Sequence, residues 1–353
     1  MNPIQVSRES IFVSSIRSFC NTFFALLGIV VCALLIGLAI TLIVGFSTDS
    51  EKTAFSIQPD ANGSRAMLPF STPALLKIDI DGIIGTGKLI SSSIDSILLD
   101  SREGIFKHGR VKGVLLCINT PGGSVTDSNG IYELLKAYKE KYNVPIFAYV
   151  DGICASGGMY IAAATDKIYA STVSIVGSVG VILGPVFNFY GLMEKWGIKA
   201  TTIAKGKDKA MLNPFAPLIP GEDASLNAIS DYLYQHFVSL VATARPQVTQ
   251  EQLINIYGAQ VYSAPKAQEL GFIDVAGANY SQAVGALAEA AGIKADEKYQ
   301  VIECRVQRPF LSEMFDQNSL FAPLSRLLHR AAPLTDLSDC KDPFLYLYRP
   351  TAS

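Results

Sequence analysis

Asp151-Gly152-Ile153-Cys154-Ala155-Ser156-Gly157-Gly158-Met159-Tyr160 follows a β-branched and aromatic run, Val144 to Val150, and precedes a small apolar run, Ile161 to Ala164. The pattern predicts a strand, a sharp glycine-rich turn and a helix. The glycines after Ser156 carry no Cβ that would hold backbone N–H groups away from the serine oxygen. The free N–H groups and the positive dipole end of the helix favour negative charge developing there. An acyl-transfer nucleophile needs this environment. A serine in this position also serves as an ordinary helix N-cap, so these ten residues alone leave both roles open.

Working upstream, Val111 to Ile118 is a continuous apolar run, as expected of a buried parallel strand. It ends in Asn119-Thr120-Pro121-Gly122-Gly123-Ser124, and a helix is expected from Thr126 to Lys141, with Ile131, Leu134 and Leu135 on one face. Before it come a strand, Ala74 to Ile80, and a helix within Ser91 to His108. The order β-α-β-α-β-α argues an α/β fold with a parallel sheet. Sites in such sheets form at the carboxyl ends of strands. Pro121-Gly122-Gly123 and Ser156-Gly157-Gly158 both fall there, so their N–H groups can converge as an oxyanion hole. In isolation Pro-Gly-Gly is an ordinary turn.

Downstream, a strand is expected at Lys167 to Ala170. Ile175 to Ile182 then alternates glycines with β-branched residues around Gly177-Ser178-Val179-Gly180, as where backbones pack closely. Helices are expected within Gly184 to Trp196, Glu222 to Ala244, Thr249 to Ile256, Ser263 to Leu270 and Ser281 to Ala291. Strands are expected at Ala200 to Ala204, Gly271 to Val275 and, last, Gln300 to Val306.

The chain has 353 residues and a net charge of −2, which gives a nucleic-acid partner no electrostatic support. Phe23 to Phe46 contains no charged residue. At about 1.5 Å per residue it spans a hydrocarbon core of about 30 Å. Arg8 and Arg17 precede it, whereas Asp49, Glu51 and Lys52 follow. The positive-inside rule then leaves residues 1–22 in the cytoplasm and sends the rest across a cell membrane, to the extracytoplasmic (periplasmic) side. A cleaved signal peptide would have a shorter apolar region, about 7–15 residues, so the expectation is an uncleaved single-pass anchor at 23–46. Residues 47–72 read as a linker, 73–300 as the folded domain and 301–353 as an extension of unassigned role. The six cysteines show no metal-ligand spacing, and neither metal nor cofactor is expected. Cys304 and Cys340 are a candidate pair in an oxidising compartment. Cys154, beside the turn, lacks the flanking glycines of a nucleophile.

A serine hydroxyl needs a base. The three histidines, His108, His236 and His329, lie in no glycine-rich or strand-end context. A Ser-Lys pair is the remaining option. Lysine ordinarily titrates near about 10.4, so a lysine base must sit against apolar surface, with a partner for its neutral amine. In Lys205-Gly206-Lys207-Asp208-Lys209-Ala210-Met211-Leu212-Asn213-Pro214, three lysines in five positions fit a solvated turn. Lys209 differs from Lys207 in abutting Ala210-Met211-Leu212.

Four of these segments, in this order, resemble the signal peptide peptidase A (SppA, protease IV) family: Leu115 to Val125, Gly152 with Ala155 to Ala162, Thr172 to Ile182, and Gly206-x-x-Lys209-x-x-x-x-Pro214. The resemblance covers about residues 73–290 and includes the N-terminal anchor. It implies a crotonase/Clp-protease-like α/β fold, Ser156 as nucleophile, Lys209 as general base, Ser178 bonding the lysine amine, and an oxyanion hole from the Gly123 and Gly157 N–H groups. It also implies a membrane-anchored endopeptidase that cuts residual signal peptides or other apolar peptides and assembles into a homo-oligomer. Cys154 and Met159 depart from the family pattern, where a small residue and an aromatic are more usual.

Three other classes compete. A crotonase-type acyl-CoA enzyme uses the same two donors but needs catalytic carboxylates, and no Glu lies between Glu140 and Glu194. A non-catalytic scaffold binding apolar peptides has no need of both Ser156 and Lys209. A Clp-type Ser-His-Asp triad is disfavoured because no histidine occurs between His108 and His236. Gly, Ala, Val and Met around the site lead to the expectation of small or unbranched side chains next to the cut.

Overall fold

The computed structural model describes residues 11–46, 53–306 and 344–348. Two units are distinguished. In the first, α1 (Ile11–Phe46) is one helix of 36 residues, longer at its N-terminal end than the apolar run alone predicts. Val13–Leu38 within it is long and apolar enough to cross a membrane.

The second unit begins with β1 (Thr53–Gln58), in the stretch expected to be linker, and β2 (Ala74–Asp81). There follow α2 (Ser91–Asp100), β3 (Val111–Thr120), β4 (Gly122–Ser124), α3 (Val125–Tyr142), β5 (Ile146–Ala155) and α4 (Gly157–Ala162). Next come β6 (Lys167–Ala170), β7 (Ile175–Gly177), β8 (Ile182–Leu183), α5 (Tyr190–Lys195) and α6 (Ala224–Ala244). The chain continues through α7 (Gln250–Gln252), β9 (Val261–Ser263), α8 (Ala264–Glu269), β10 (Val275–Ala276), α9 (Tyr280–Ala290), β11 (Gln300–Val306) and β12 (Phe344–Leu347).

The main sheet runs β1-β11-β2-β3-β5-β6-β10. All neighbours from β11 to β10 are parallel, as the alternating strand and helix order requires, and β1 closes one edge antiparallel to β11. β5 changes partner along its length. Phe147–Val150 pairs with β6, and Ile153–Ala155 pairs with β7, with Gly152 at φ +133° between the two stretches. The strand therefore continues five residues past Val150, where the sequence pattern places a turn. A small second sheet, antiparallel, has the order β4-β12-β8.

Side chains of β3 alternate between two cores, as the period of two demands. Val114, Leu116 and Ile118 join Ile94 and Leu98 of α2, Ile131 and Leu135 of α3, and Phe237 and Val241 of α6. Leu115 faces the other way, against Val284 and Leu287 of α9. Ala200–Ala204, expected as a strand, lies in an irregular stretch, 197–223, without helix or strand. The helix within Ser91 to His108 stops at Asp100, and a 3-10 turn, Gly104–Phe106, follows. Cys304 is buried on β11 with a free thiol, whereas Cys340 lies outside the described residues.

Leu116 is fully buried and Leu99 is 55% exposed. Leu116→Ala is expected to destabilise the protein by about 2–5 kcal/mol and Leu99→Ala by less than about 1 kcal/mol, read from denaturant midpoints.

Candidate active site

Ser156 stands between the last residue of β5 and the first of α4, with φ +54° and ψ −112°. Few side-chain-bearing residues adopt this conformation. Its neighbours enforce it. Ala155 is paired with Gly177, the Ser156 N–H donates to the Gly177 carbonyl at 2.9 Å, and the Tyr160 N–H donates back to the Ser156 carbonyl at 3.0 Å to begin α4. The chain reverses on one residue, and the hydroxyl is held at the helix start. Ser156 is 1% exposed, and its only hydroxyl hydrogen bond among the described residues goes to the Gly180 carbonyl at 3.4 Å. The side chain makes no cap bond to α4, so the N-cap role stops at the backbone.

The second glycine turn arrives as expected. Thr120 pairs with Cys154, which sets Pro121-Gly122-Gly123 beside the end of β5. β4 then clasps Ile84. The Ile84 N–H donates to the Gly122 carbonyl and the Ser124 N–H to the Ile84 carbonyl, both at 2.9 Å. A Cβ on Gly123 would lie 2.0 Å from the Ile84 carbonyl oxygen, and one on Gly157 would lie 2.5 Å from Ser128 Oγ and 3.0 Å from Ile84 Cδ1. Neither position tolerates a side chain. Both glycines are thus pressed against one residue, Ile84, and the two turns meet around it.

Ser178 lies between the two carbonyls that accept from Ser156, on residues 177 and 180. It is 6% exposed, with φ +57°, and its hydroxyl makes no hydrogen bond among the described residues. Lys209 is not brought to this group. It is exposed in the irregular stretch 197–223, and its amine forms neither a hydrogen bond nor an ion pair among the described residues. Ser156, Ser178, Gly123 and Gly157 therefore come together, and the expected base stands apart from them.

The competing nucleophile and bases are placed as well. Cys154 is fully buried within β5, and burial pushes its thiol up to about 12, which leaves it inert at neutral pH. His236 lies on α6 against the rings of Tyr160 and Tyr232, and neither it nor His108 hydrogen-bonds Ser156. His329 lies outside the described residues.

The surroundings also contain residues that no local pattern points to. The hydroxyl of Tyr160, on α4, donates to Asn129 Oδ1 at 2.7 Å. Its ring packs against Phe237 of α6 and Tyr346 of β12. Ile84 sits in a Gly-Ile-Ile-Gly stretch whose glycines signal a turn but not the contact it makes.

Residues 138–294 match the model of Peptidase family S49. A protein of Synechocystis sp. provisionally named a protease is 33% identical over 211 residues, 58% of this chain and 72% of that protein. The chain belongs to peptidase family S49. Within that family, a protein of Enterococcus faecium provisionally named signal peptide peptidase SppA is 31% identical over 212 residues, 59% of this chain and 61% of its own length. The family chain described here spans between about half and three quarters of such relatives. Among solved structures it is similar to a ClpP1 mutant from Listeria monocytogenes, at 16% identity and TM-score 0.38, over 61% of this chain and 96% of that one.

The strain at Ser156 is measurable. A residue held in such a region costs about 1–3 kcal/mol, and glycine gives back about 0.4–1 kcal/mol through its freer unfolded chain. Ser156→Gly is expected to raise stability by about 1 kcal/mol, whereas Ser156→Ala, equally strained, is expected to leave the thermal midpoint near that of the wild type.

Proposed function

We propose that this chain is a membrane-anchored serine endopeptidase with a Ser-Lys dyad, acting on residual signal peptides or other apolar peptides. The observation that carries this is Ser156: a buried hydroxyl on a strained residue at a helix start, beside two glycine turns whose Gly123 and Gly157 pack against Ile84. In the proposed reaction Ser156 Oγ attacks the scissile carbonyl and Lys209 takes its proton. The Gly123 and Gly157 N–H groups hold the oxyanion. The leaving amine takes the proton back, and water then hydrolyses the acyl-enzyme. Ser178, unbonded between the two carbonyls that accept from Ser156, is the partner for the neutral lysine amine. Membership of a peptidase family supports the reaction class.

Lys209 has to be covered to serve as a base, because water would keep its amine charged. Its own stretch offers the means. Ile203, Leu218 and Ile219 are exposed apolar side chains there. In the proposed enzyme this apolar surface is covered as the stretch lays the amine over Ser156, within one copy or across a homo-oligomer. The α1 helix is the proposed anchor in membrane lipid, with the N-terminus cytoplasmic and the peptidase unit on the extracytoplasmic side, supported by the apolar span within α1 and the charges that flank Phe23 to Phe46. Proposed partners are therefore peptides, lipid and further copies of the chain.

One observation favours a second reading, a non-catalytic scaffold that binds apolar peptides: the amine of Lys209 is not bonded to Ser156. Labelling by a fluorophosphonate separates the two. The enzyme is labelled in the wild type and not in Ser156→Ala, whereas the scaffold is labelled in neither.

Hydrolysis of an apolar fluorogenic peptide is expected to vanish in Ser156→Ala. It is expected to fall by about 10²–10⁴-fold in Lys209→Ala while Lys205→Ala and Lys207→Ala stay near the wild type. Loss in Lys207→Ala with activity kept in Lys209→Ala would move the base.

A further inference from the structure

β5 carries three residues where β3 carries one. Ile118 pairs with Val150 and Thr120 with Cys154, so Asp151, Gly152 and Ile153 stand opposite Asn119 alone. A bulge of this kind leaves ladder bonds unmade, and the backbone groups it frees need other partners. Two side chains supply them. The Ile153 N–H donates to Asn119 Oδ1 at 3.1 Å. The Gly152 N–H donates to Ser174 Oγ at 3.3 Å, and the hydroxyl of Ser174, a buried residue, donates to the Val150 carbonyl at 2.9 Å.

The Asn119 amide is itself fixed. Its Nδ2 donates to Asp81 Oδ1 at 2.9 Å, at the end of β2, and its backbone carbonyl accepts from the Gly82 N–H at 3.1 Å. A Cβ on Gly152 would lie 2.4 Å from Asn119 Oδ1, so the missing side chain is what admits the amide. From Ile153 the constraint runs three residues to Ser156. Cys154 pairs with Thr120 and Val176, and Ala155 with Gly177, before the chain reverses. The neighbouring Thr120 hydroxyl donates to the Gly82 carbonyl and accepts from the Gly122 N–H, which ties the same corner to the second glycine turn. Ionised Asp81 only accepts and the Ile153 N–H only donates. The bridge between them therefore needs one donor and one acceptor on a single side chain, as an amide provides.

We propose that Asn119 is a positioning residue for the nucleophile. By bridging Asp81 to the Ile153 N–H it sets the direction in which β5 leaves β6 for β7, and with it the place of Ser156 Oγ. The proposal rests on Ser156 being the nucleophile. The Asn119 side chain hydrogen-bonds neither Ser156 nor Gly123 or Gly157, so it acts only through the course of β5. A displacement of about 1 Å at a reacting group can cost about 10²-fold in rate. Loss of the bridge therefore falls on the chemical step and leaves peptide binding largely as it was.

The test is hydrolysis of the apolar fluorogenic peptide by the full-length protein, with the rate of fluorophosphonate labelling and the thermal midpoint measured alongside. Asn119→Ala is expected to lower kcat at least about tenfold, with KM within about twofold of the wild type, and to slow labelling in parallel. Asn119→Asp keeps an acceptor for Ile153 but sets two carboxylates against each other, and its kcat is expected to fall as far. Asp81→Asn still accepts from Asn119 and is expected to stay near the wild type. The double variant Asn119→Asp/Asp81→Asn rebuilds the bridge with donor and acceptor exchanged and is expected to regain most of the lost kcat. Where Asn119→Ala fails to fold, Asn119→Asp against the double variant decides. A wild-type kcat in Asn119→Ala, a loss carried by KM, or no recovery in the double variant overturns the proposal and leaves Ser156 as nucleophile. A wild type that neither hydrolyses the peptide nor takes the label overturns the assignment of Ser156 itself, and the proposal with it.

Discussion

The site depends on one backbone constraint, the positive φ of Ser156. Ala155 is locked into the β5–β7 ladder on one side and Gly157 into α4 on the other, so the reversal falls on a single residue. The hydrogen bond from the Ser156 N–H to the Gly177 carbonyl ties that residue to β7. This geometry exists because β5 continues beyond Val150 and takes a second partner there. Gly152 supplies the change of direction at φ +133°, a value that residues with a Cβ seldom adopt. Strain of this kind persists only where the surrounding structure over-determines it, and here two ladders and a helix do so.

Around that residue, closeness is achieved by removing atoms. Gly123 and Gly157 lie where any side chain would strike Ile84 or Ser128. The result is a pair of backbone edges able to face one small oxygen. On the far side of α4, Tyr160 joins the site to α6 through Phe237 and to β12 through Tyr346. The helix that starts after Ser156 therefore also carries one ring of a buried aromatic cluster.

The proposed base contrasts with this order. Every group around Ser156 is buried or hydrogen-bonded to backbone, whereas Lys209 lies in an exposed stretch with apolar side chains facing water. An amine that must be neutral and a surface that must be covered are the same physical demand, since one burial event satisfies both. Among the described residues, Ser156 and the two glycine turns are packed and ordered, whereas Lys209 is exposed.

By itself the sequence determined what nearest neighbours control. Continuous apolar runs between stretches of helical spacing marked the parallel strands and their helices, the strand–Ser–Gly–Gly order marked the sharp turn at Ser156, and Pro121-Gly122-Gly123 marked the second one. The apolar run at 23–46 announced α1. These features are legible because side-chain period and tolerance of positive φ are local properties. Tertiary structure alone decided that β5 switches partners at Gly152, that 53–58 joins the sheet as β1, that Cys154 is sealed inside a strand, and that Tyr346 comes to lie opposite Gly123. Strands of two to four residues carry no periodic signature, and pairing across more than two hundred residues is chosen by the shape of the edge left open, which no stretch of the chain encodes alone.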